Sequence, residues 1–485
     1  MKNIEDVLPT VNPPIVTAFS YVAGKAVHSG QALAVFNPYT GDQVGTVSTA
    51  NQKDVENAIT TALIGGQKLS NYDRYAILEK ARQLVDERRE AFAQLITAES
   101  GLAITEARYE IGRAYDVLLF AAIEALRDDG QVFSCDVSPN GKNRKIFTQR
   151  EPLNLAVAIT PFNHPLNQVV HKIAPAIAAG TPIILKPSEK TPLTAIKFVE
   201  TLYEAGLPYH MLSVLLGPTG EVAEALVQDP RVDIVSFTGS VAVGKHIAKT
   251  AGYKKVILEL GGNDPLIIMD DADIEQAANL AAEGSFRNSG QRCTAVKRIL
   301  VHERVKEAFT ARFLDLAKTY TYGNPADPDT KVGTVIDSDS AAYLEGVVND
   351  AVANGAKVLL GGQREGALMP PTIIDDVPRD AKMVVKESFG PLAPIMVFRD
   401  IDDAIALANS TSYGLSAGVV TQRMDYAVRF INELEVGTVN INEVPGYRIE
   451  SSPFGGIKDS GLGIKEGVIE AIKCFSFVKT FSLPW

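Results

Sequence analysis

Residues 231–262 read RVDIVSFTGSVAVGKHIAKTAGYKKVILELGG. The apolar run 231–239 ends on a glycine, 241–252 has the length of a helix and closes on another glycine, and 255–262 is apolar again. Strand, helix and strand joined by tight turns predict a βαβ unit with parallel strands and a right-handed crossover. The alternation continues upstream. LNLAVAIT (153–160) is ended by Pro161, LNQVVHKIAPAIAAG (166–180) has helical spacing up to Gly180, and PIILK (182–186) is strand-like. TPLTAIKFVETLYEAG (191–206) starts on Thr-Pro, as helices do, and MLSVLLG (211–217) precedes a short helix near 219–228. Downstream, PLIIMD (265–270), a helix from Asp273, RILVH (298–302) and a helix to about 319 predict a second α/β unit. Gly- and Pro-rich breakers such as GNPADPD, GGQREG and FGPLAP fill 323–394. In such open sheets the loops after the strands gather along one edge, where ligands bind.

Composition narrows the function. A net charge of −11 provides no basic field for nucleic acid or an anionic membrane. An anionic ligand must therefore meet a local cluster of Arg and Lys. The chain has three cysteines and no CxxC or Cys/His cluster, which points to a reducing, cytoplasmic setting and no metal centre. The N-terminal stretch 1–14 lacks the apolar core of a signal peptide. No apolar run approaches the roughly 18 residues that span a bilayer.

Five short stretches carry chemistry, four of them at strand ends. RNSGQRCTAVKR (287–298) places Cys293 in a polar segment, where Arg292 and Lys297 are expected to lower the thiol pKa from about 8.5. The alternative is a small buried hydrophobe. In LELGGND (258–264), Glu259 sits among leucines; burial would raise its pKa and suit it as a general base, the alternative being a solvated strand end. In FTGSVAVG (237–244), Thr238, Gly239 and Ser240 open a helix whose N-terminus favours a diphosphate, or serve as an ordinary cap. In ILKPSEK (184–190), Lys186 and Glu189 could bind ribose hydroxyls or form a solvated ion pair. In TPFNHP (160–165), the Asn163 amide could donate to an oxyanion or cap a helix.

The set and order of these stretches, with KESFGP (386–391), NPYTGDQVG near residue 37 and SPFGGIKDSGLGIKEG (452–467), resemble the aldehyde dehydrogenase superfamily over nearly the whole chain. The resemblance implies an α/β fold with a Rossmann-type NAD-binding domain (1–129 and 151–261) and an α/β catalytic domain (262–467). It also implies a β oligomerisation arm (130–150 and 468–485), with a Pro-Asn-Gly hairpin turn, and hence a homodimer or homotetramer. Cys293 becomes the nucleophile, Asn163 with the Cys293 N–H the oxyanion site, and Glu259 the base that hydrolyses the thioester. NAD, with NADP as the alternative, would contact Thr160, Pro161, Phe162, Lys186, Ser188, Glu189, Gly220, Phe237, Gly239, Ser240, Gly244, Leu260, Gly261, Glu387 and Phe389. Glu189 would repel a 2′-phosphate and favour NAD.

Basic residues near these motifs include Arg108, Arg113, His164, Arg292, Lys297, Arg298 and Arg448. PFNHPLNQVVHKIAP, NSGQRCTAVKR and GYRIESSPFGGIKDSGLG resemble phosphonoacetaldehyde dehydrogenases, and Phe162 replaces the Trp usual in the superfamily. That resemblance implies oxidation of phosphonoacetaldehyde to phosphonoacetate, with Arg108, His164, Arg292, Thr294, Lys297 and Arg448 around the substrate. Phosphonoformaldehyde, glyceraldehyde 3-phosphate and succinate semialdehyde are alternative substrates. Acyl transfer to CoA is disfavoured by Glu259, and an inactive NAD-binding relative by the joint presence of Cys293, Glu259 and Asn163.

Overall fold

A computed structural model describes residues 15–66, 68–127 and 129–484. The leader expectation for 1–14 and the final Trp485 lie outside the described residues. The stretch 231–262 forms the βαβ unit its pattern predicts: strand Ile234–Thr238, helix Val241–Thr250, strand Lys255–Glu259. These strands belong to a seven-stranded sheet whose order is Lys255–Glu259, Ile234–Thr238, Ala156–Ile159, Ile183–Lys186, Leu212–Val214, Tyr21–Val22, Lys25–Ala26. The first five are parallel. Chain order reverses between Ala156–Ile159 and Ile234–Thr238, which opens a crevice at the carboxyl ends of the two strands. The loops that start at Thr160 and Gly239 both rise there.

Helix Asn167–Ala179 packs on this sheet and is buried at all but one of its positions, so its apolar character runs all round it. It ends at Gly180, whose φ of 84° is a left-handed cap that any side chain would strain. Helix Val241–Thr250 approaches its sheet closely because Gly244 lacks a Cβ; one built there would lie 2.3 Å from the Leu260 side chain.

A second seven-stranded sheet has the order Lys357–Leu360, Thr372–Asp375, Leu392–Phe398, Arg298–His302, Pro265–Ile268, Ser416–Val420, Thr438–Ile441. The breaker-rich region 323–394 holds more regular structure than its punctuation predicts. Asp337 caps a 16-residue helix, Ser338–Ala353, and two strands of the second sheet follow. The predicted hairpin closes through a Ser138–Gly141 turn between Val132–Ser134 and Arg144–Pro152. The last strand, Ser476–Pro484, pairs along the full length of Arg144–Pro152. Val132, Phe133, Phe477, Val478, Phe481 and Leu483 on this three-stranded arm are exposed. No helix among the described residues is long and apolar enough to cross a membrane.

Candidate active site

Two cavities meet at Cys293. One, of about 230 Å³, lies in the crevice at the strand-order reversal and is lined by Pro161, Phe162, Asn163, Thr238–Ser240, Glu259–Gly261, Glu387 and Phe389. The other, of about 250 Å³, has an otherwise separate lining, between helix Ile104–Ala125, the Cys293 segment and residues 443–454. Cys293 and Gln168 line both. An atom bonded to the sulfur therefore faces a crevice on one side and a separate pocket on the other.

The Cys293 segment is closely packed, with Asn288, Ser289 and Gln291 buried, rather than the polar, flexible loop its composition suggests. Asn288 and Ser289 adopt left-handed φ values of 55° and 51°, and Gly290, at 67°, packs so closely that a Cβ would lie 2.1 Å from the Gly390 carbonyl oxygen. Strain of this kind persists where the surroundings over-determine it. The Asn288 amide donates to the carbonyls of Asn163 (3.1 Å) and Gln291 (3.2 Å), and the Asn163 Nδ2 donates to Gln291 at 2.8 Å. One Asn163 amide hydrogen is thus used to hold the side chain, leaving the second for a ligand. Among the described residues no protein acceptor takes the Cys293 N–H. These two donors can stabilise an oxyanion at Cys293.

The expected lowering of the thiol pKa does not occur. Burial pushes Cys293 up to about 11, outweighing the opposing charges of Lys297 and Arg448. The reason is visible at Lys297: its ammonium donates to the Cys293 carbonyl at 2.6 Å and pairs with Glu387 at 3.0 Å, so its charge is already compensated. In the ligand-free protein the rate of Cys293 alkylation by iodoacetamide is expected to climb about tenfold per pH unit from neutrality past pH 9. A plateau below pH 8, read by peptide mass spectrometry, would contradict this.

Glu259 ends its strand 4% exposed, and neither carboxyl oxygen has a protein hydrogen-bond partner. Burial raises its pKa well above the usual carboxylate range, and the neighbouring Glu466 carboxylate adds to the shift. Glu466 itself is held low against burial by Lys172, whose Nζ donates to it at 2.7 Å and to Ser236 at 2.9 Å. A high-pKa carboxyl with unused oxygens, set across the crevice from a thiol, can accept a proton from water.

The crevice suits a dinucleotide. The buried Thr160 and Thr238 hydroxyls have no protein partner, and the ten-residue helix beginning at Val241 points its capped N-terminus, with Ser240, into the crevice mouth. Phe389, at a left-handed φ of 58°, stands edge-on to Phe162 at 5.8 Å. Gly261 leaves room for Glu387, whose oxygen would lie 2.0 Å from a Cβ there. Lys186 and Glu189 pair at 3.1 Å on the same sheet edge, with Ser188 between them. Phe237 packs under Gly239, and Gly244 against Leu260. Gly220 lies in a wide turn, Thr219–Ala223, and does not line the crevice.

In the second pocket the structure gathers His164, Arg292, Thr294 and Arg448, and adds Arg113. It excludes two residues expected there. Arg108 points away and forms a solvent-exposed pair with Glu90, at 2.9 and 3.0 Å. Lys297 lies behind the Cys293 segment, 1% exposed. Arg292 spends Nη2 on the Glu283 and Gly284 carbonyls, while its buried Nε has no partner. The Arg448 guanidinium stacks 3.9 Å above the Phe454 ring and has no carboxylate partner among the described residues. Arg113 donates only Nε, to Glu450 at 2.5 Å. Sequence reading passed over Arg113, but helix phase selects it: Glu106, Tyr109, Glu110 and Arg113 follow i, i+3, i+4, i+7 on one face and all line the pocket.

The model of the aldehyde dehydrogenase family matches residues 26–481. The chain is 40% identical over 454 residues to 3-sulfolactaldehyde dehydrogenase from Priestia aryabhattai, covering 93% of this chain and 95% of that enzyme. It is 38% identical to sulfoacetaldehyde dehydrogenase from Neptuniibacter caesariensis, covering 92% and 98%. NADP-dependent glyceraldehyde-3-phosphate dehydrogenase from Bacillus halodurans C-125, solved with NADP, superposes with a TM-score of 0.93 at 35% identity, covering 96% and 99%. The resemblance to phosphonoacetaldehyde dehydrogenases holds at a coarser level, since these relatives are named for sulfonated and phosphorylated aldehydes. The chain belongs to the aldehyde dehydrogenase family and is an NAD(P)-dependent aldehyde dehydrogenase.

Proposed function

We propose that the protein oxidises a short aldehyde with a tetrahedral anionic tail, sulfonate or phosphonate, to its carboxylic acid. The observation that carries this reading is the convergence of Arg113, Arg292 and Arg448, each with N–H groups not used by the protein, in the pocket that reaches Cys293 and is otherwise lined separately from the dinucleotide crevice. Guanidinium N–H groups match the spacing of sulfonate and phosphonate oxygens. Phosphonoacetaldehyde is one such substrate; sulfoacetaldehyde and 3-sulfolactaldehyde, which the relatives' names carry, are the others.

In this reading the Cys293 thiolate adds to the aldehyde carbon, and the oxyanion of the adduct accepts from the Asn163 amide and the Cys293 N–H. Bound NAD(P) supplies the hydride acceptor. Cys293 is left as a thioester, Glu259 takes a proton from water, and the resulting hydroxide releases the acid. Lys186 and Glu189 hold the adenosine ribose, with Glu189 favouring NAD, and Ser240 at its helix N-terminus holds the diphosphate. The exposed apolar arm fits a second copy of the chain.

Arg448→Met is expected to lower kcat/KM for sulfoacetaldehyde and phosphonoacetaldehyde about 10- to 100-fold, the weight of a hydrogen bond to a charged group. Butanal, of similar length and uncharged, is expected to change less than about threefold. An equal loss for butanal, or wild-type preference for it over the anionic aldehydes, glyceraldehyde 3-phosphate and succinate semialdehyde, would remove the anion-tail reading.

A further inference from the structure

The tail pocket is less positive than its arginines suggest. Four guanidiniums stand at its wall, Arg113, Arg287, Arg292 and Arg448, together with four carboxylates, Glu106, Glu110, Glu283 and Glu443. Arg287 is fully engaged, with Glu106 at 2.9 Å and Glu283 at 2.9 Å. Glu110 is pinned by the N–H groups of Leu166 and Asn167, and its second oxygen lies 3.6 Å from His164 Nδ1. A fifth carboxylate, Glu450, sits behind the wall and is 6% exposed.

Glu450 has an unusual set of partners. One oxygen accepts from Arg113 Nε and the other from His171 Nε2, both at 2.5 Å, and its backbone carbonyl accepts from Val468. It follows Arg448 by two residues. One buried carboxylate thus ties the helix carrying Arg113, the helix that begins beside His164, and the segment carrying Arg448. It also cancels the charge of the one wall arginine without an acid of its own at the wall that both is paired and keeps its terminal nitrogens open, Arg113, whose side chain is 21% exposed.

We propose that Glu450 is a positioning and specificity-determining residue: it aims Arg113 at the substrate tail while cancelling its charge, so that the site accepts a singly charged tail in preference to a doubly charged one. The proposal rests on the anion-tail reading above. With Glu450 ionised, the four wall guanidiniums face the four wall carboxylates and Glu450, beside which Asp116 is pushed up in pKa by burial and by the Glu450 charge, and the hydrogen bonds of the arginines are available to a monoanion without a net positive field to hold a second charge.

The test uses two aldehydes of equal length in the full-length enzyme. Sulfoacetaldehyde keeps one tail charge, whereas phosphonoacetaldehyde gains a second across about pH 5.5 to 8.5, a window that spans the second ionisation of a phosphoryl group. The ratio of kcat/KM, phosphonate over sulfonate, cancels the titration of groups that act on both substrates alike, Cys293 and Glu259 among them; His164 faces the tail in wild type and variants equally, so the comparison between them isolates Glu450. In the wild type it is expected to fall at least about fivefold as pH rises through this window. In Glu450→Gln the fall is expected to flatten or reverse. Arg113→Gln, which leaves Glu450 in place and removes the cation, is expected to steepen it, and stands in should Glu450→Gln not fold. A wild-type ratio that is flat or rises with pH overturns the proposal, as does a fall of the same size in wild type and variants. Failure of the anion-tail reading looks different: butanal would then match both anionic aldehydes in wild type at every pH.

Discussion

Cys293→Ala is expected to reduce NAD(P)H formation from any aldehyde by at least about 10⁴-fold, with the protein still folded and able to bind the dinucleotide. Oxidation through a covalent adduct requires a nucleophile at the junction of the two cavities, and Cys293 is the residue that lines both of them with a nucleophilic atom. Thr294 lines only the tail pocket. Cys293 is a half-buried residue bordered by two cavities, so loss of its sulfur removes little packing and a change in stability of no more than about 1 kcal/mol is expected. Dinucleotide binding, followed by fluorescence titration, should persist because the crevice walls come from other strands. The thiol's position at about pKa 11 sharpens the expectation. A free thiolate is scarce at neutral pH in the ligand-free protein, and serine in its place, with a still higher pKa, is expected to be nearly as inactive as alanine. Retention of more than about 1% of wild-type kcat in Cys293→Ala would refute the covalent route.

Much of the fold was legible because its information is local. The apolar runs at 156–159, 183–186, 234–238 and 255–259 are short, separated by helix-length stretches and closed by Gly or Pro, so each reads as a buried parallel strand. That pattern places the ligand edge of the sheet, while the crevice itself depends on the strand order, which reverses between Ala156–Ile159 and Ile234–Thr238 and is not written in the local sequence. What failed was of two kinds. Helix Ser338–Ala353 was hidden by the glycines and prolines around it, although Asp337 is an ordinary cap. Arg108, which the resemblance sets at the substrate, and Arg113 lie five residues apart on one helix, and only helix phase tells which of them faces the pocket. The remaining features could not be read from spacing. Glu450 meets His171 across 279 residues and Glu466 meets Lys172 across 294. Both bonds join the C-terminal segment to consecutive residues of one buried helix, and only the folded chain brings them together. The sign of the Cys293 shift belongs to the same class. Sequence shows nearby cations, but whether they outweigh burial depends on Lys297 already serving Glu387.

Glu259→Gln is expected to separate the two halves of the reaction. Mixed rapidly with NAD and sulfoacetaldehyde, the variant should release up to one NAD(P)H per active site at a rate near that of wild type, then turn over about 10² to 10⁴ times more slowly. The amide keeps the volume of the side chain, so the pocket at the strand end, bounded by Gly455 with 2.6 Å between a Cβ there and Glu259 Oε1, is not reshaped. What it loses is the ability to accept a proton. The pH dependence gives an independent check. Burial and the Glu466 carboxylate hold the Glu259 pKa well above that of an ordinary glutamate. A group with a raised pKa becomes a base only as pH rises through that value, so wild-type thioester hydrolysis should accelerate with pH in that range, and the residual rate of the variant should lack this step. Lys172→Met bears on the same group through Glu466. With the ammonium gone, the pair shares its proton differently, and the acceleration is expected to move along the pH axis rather than vanish. If Glu259→Gln hydrolysed its thioester at the wild-type rate with the same pH profile, another residue would have to activate the water, and no other side chain lining the crevice offers a carboxyl with both oxygens free.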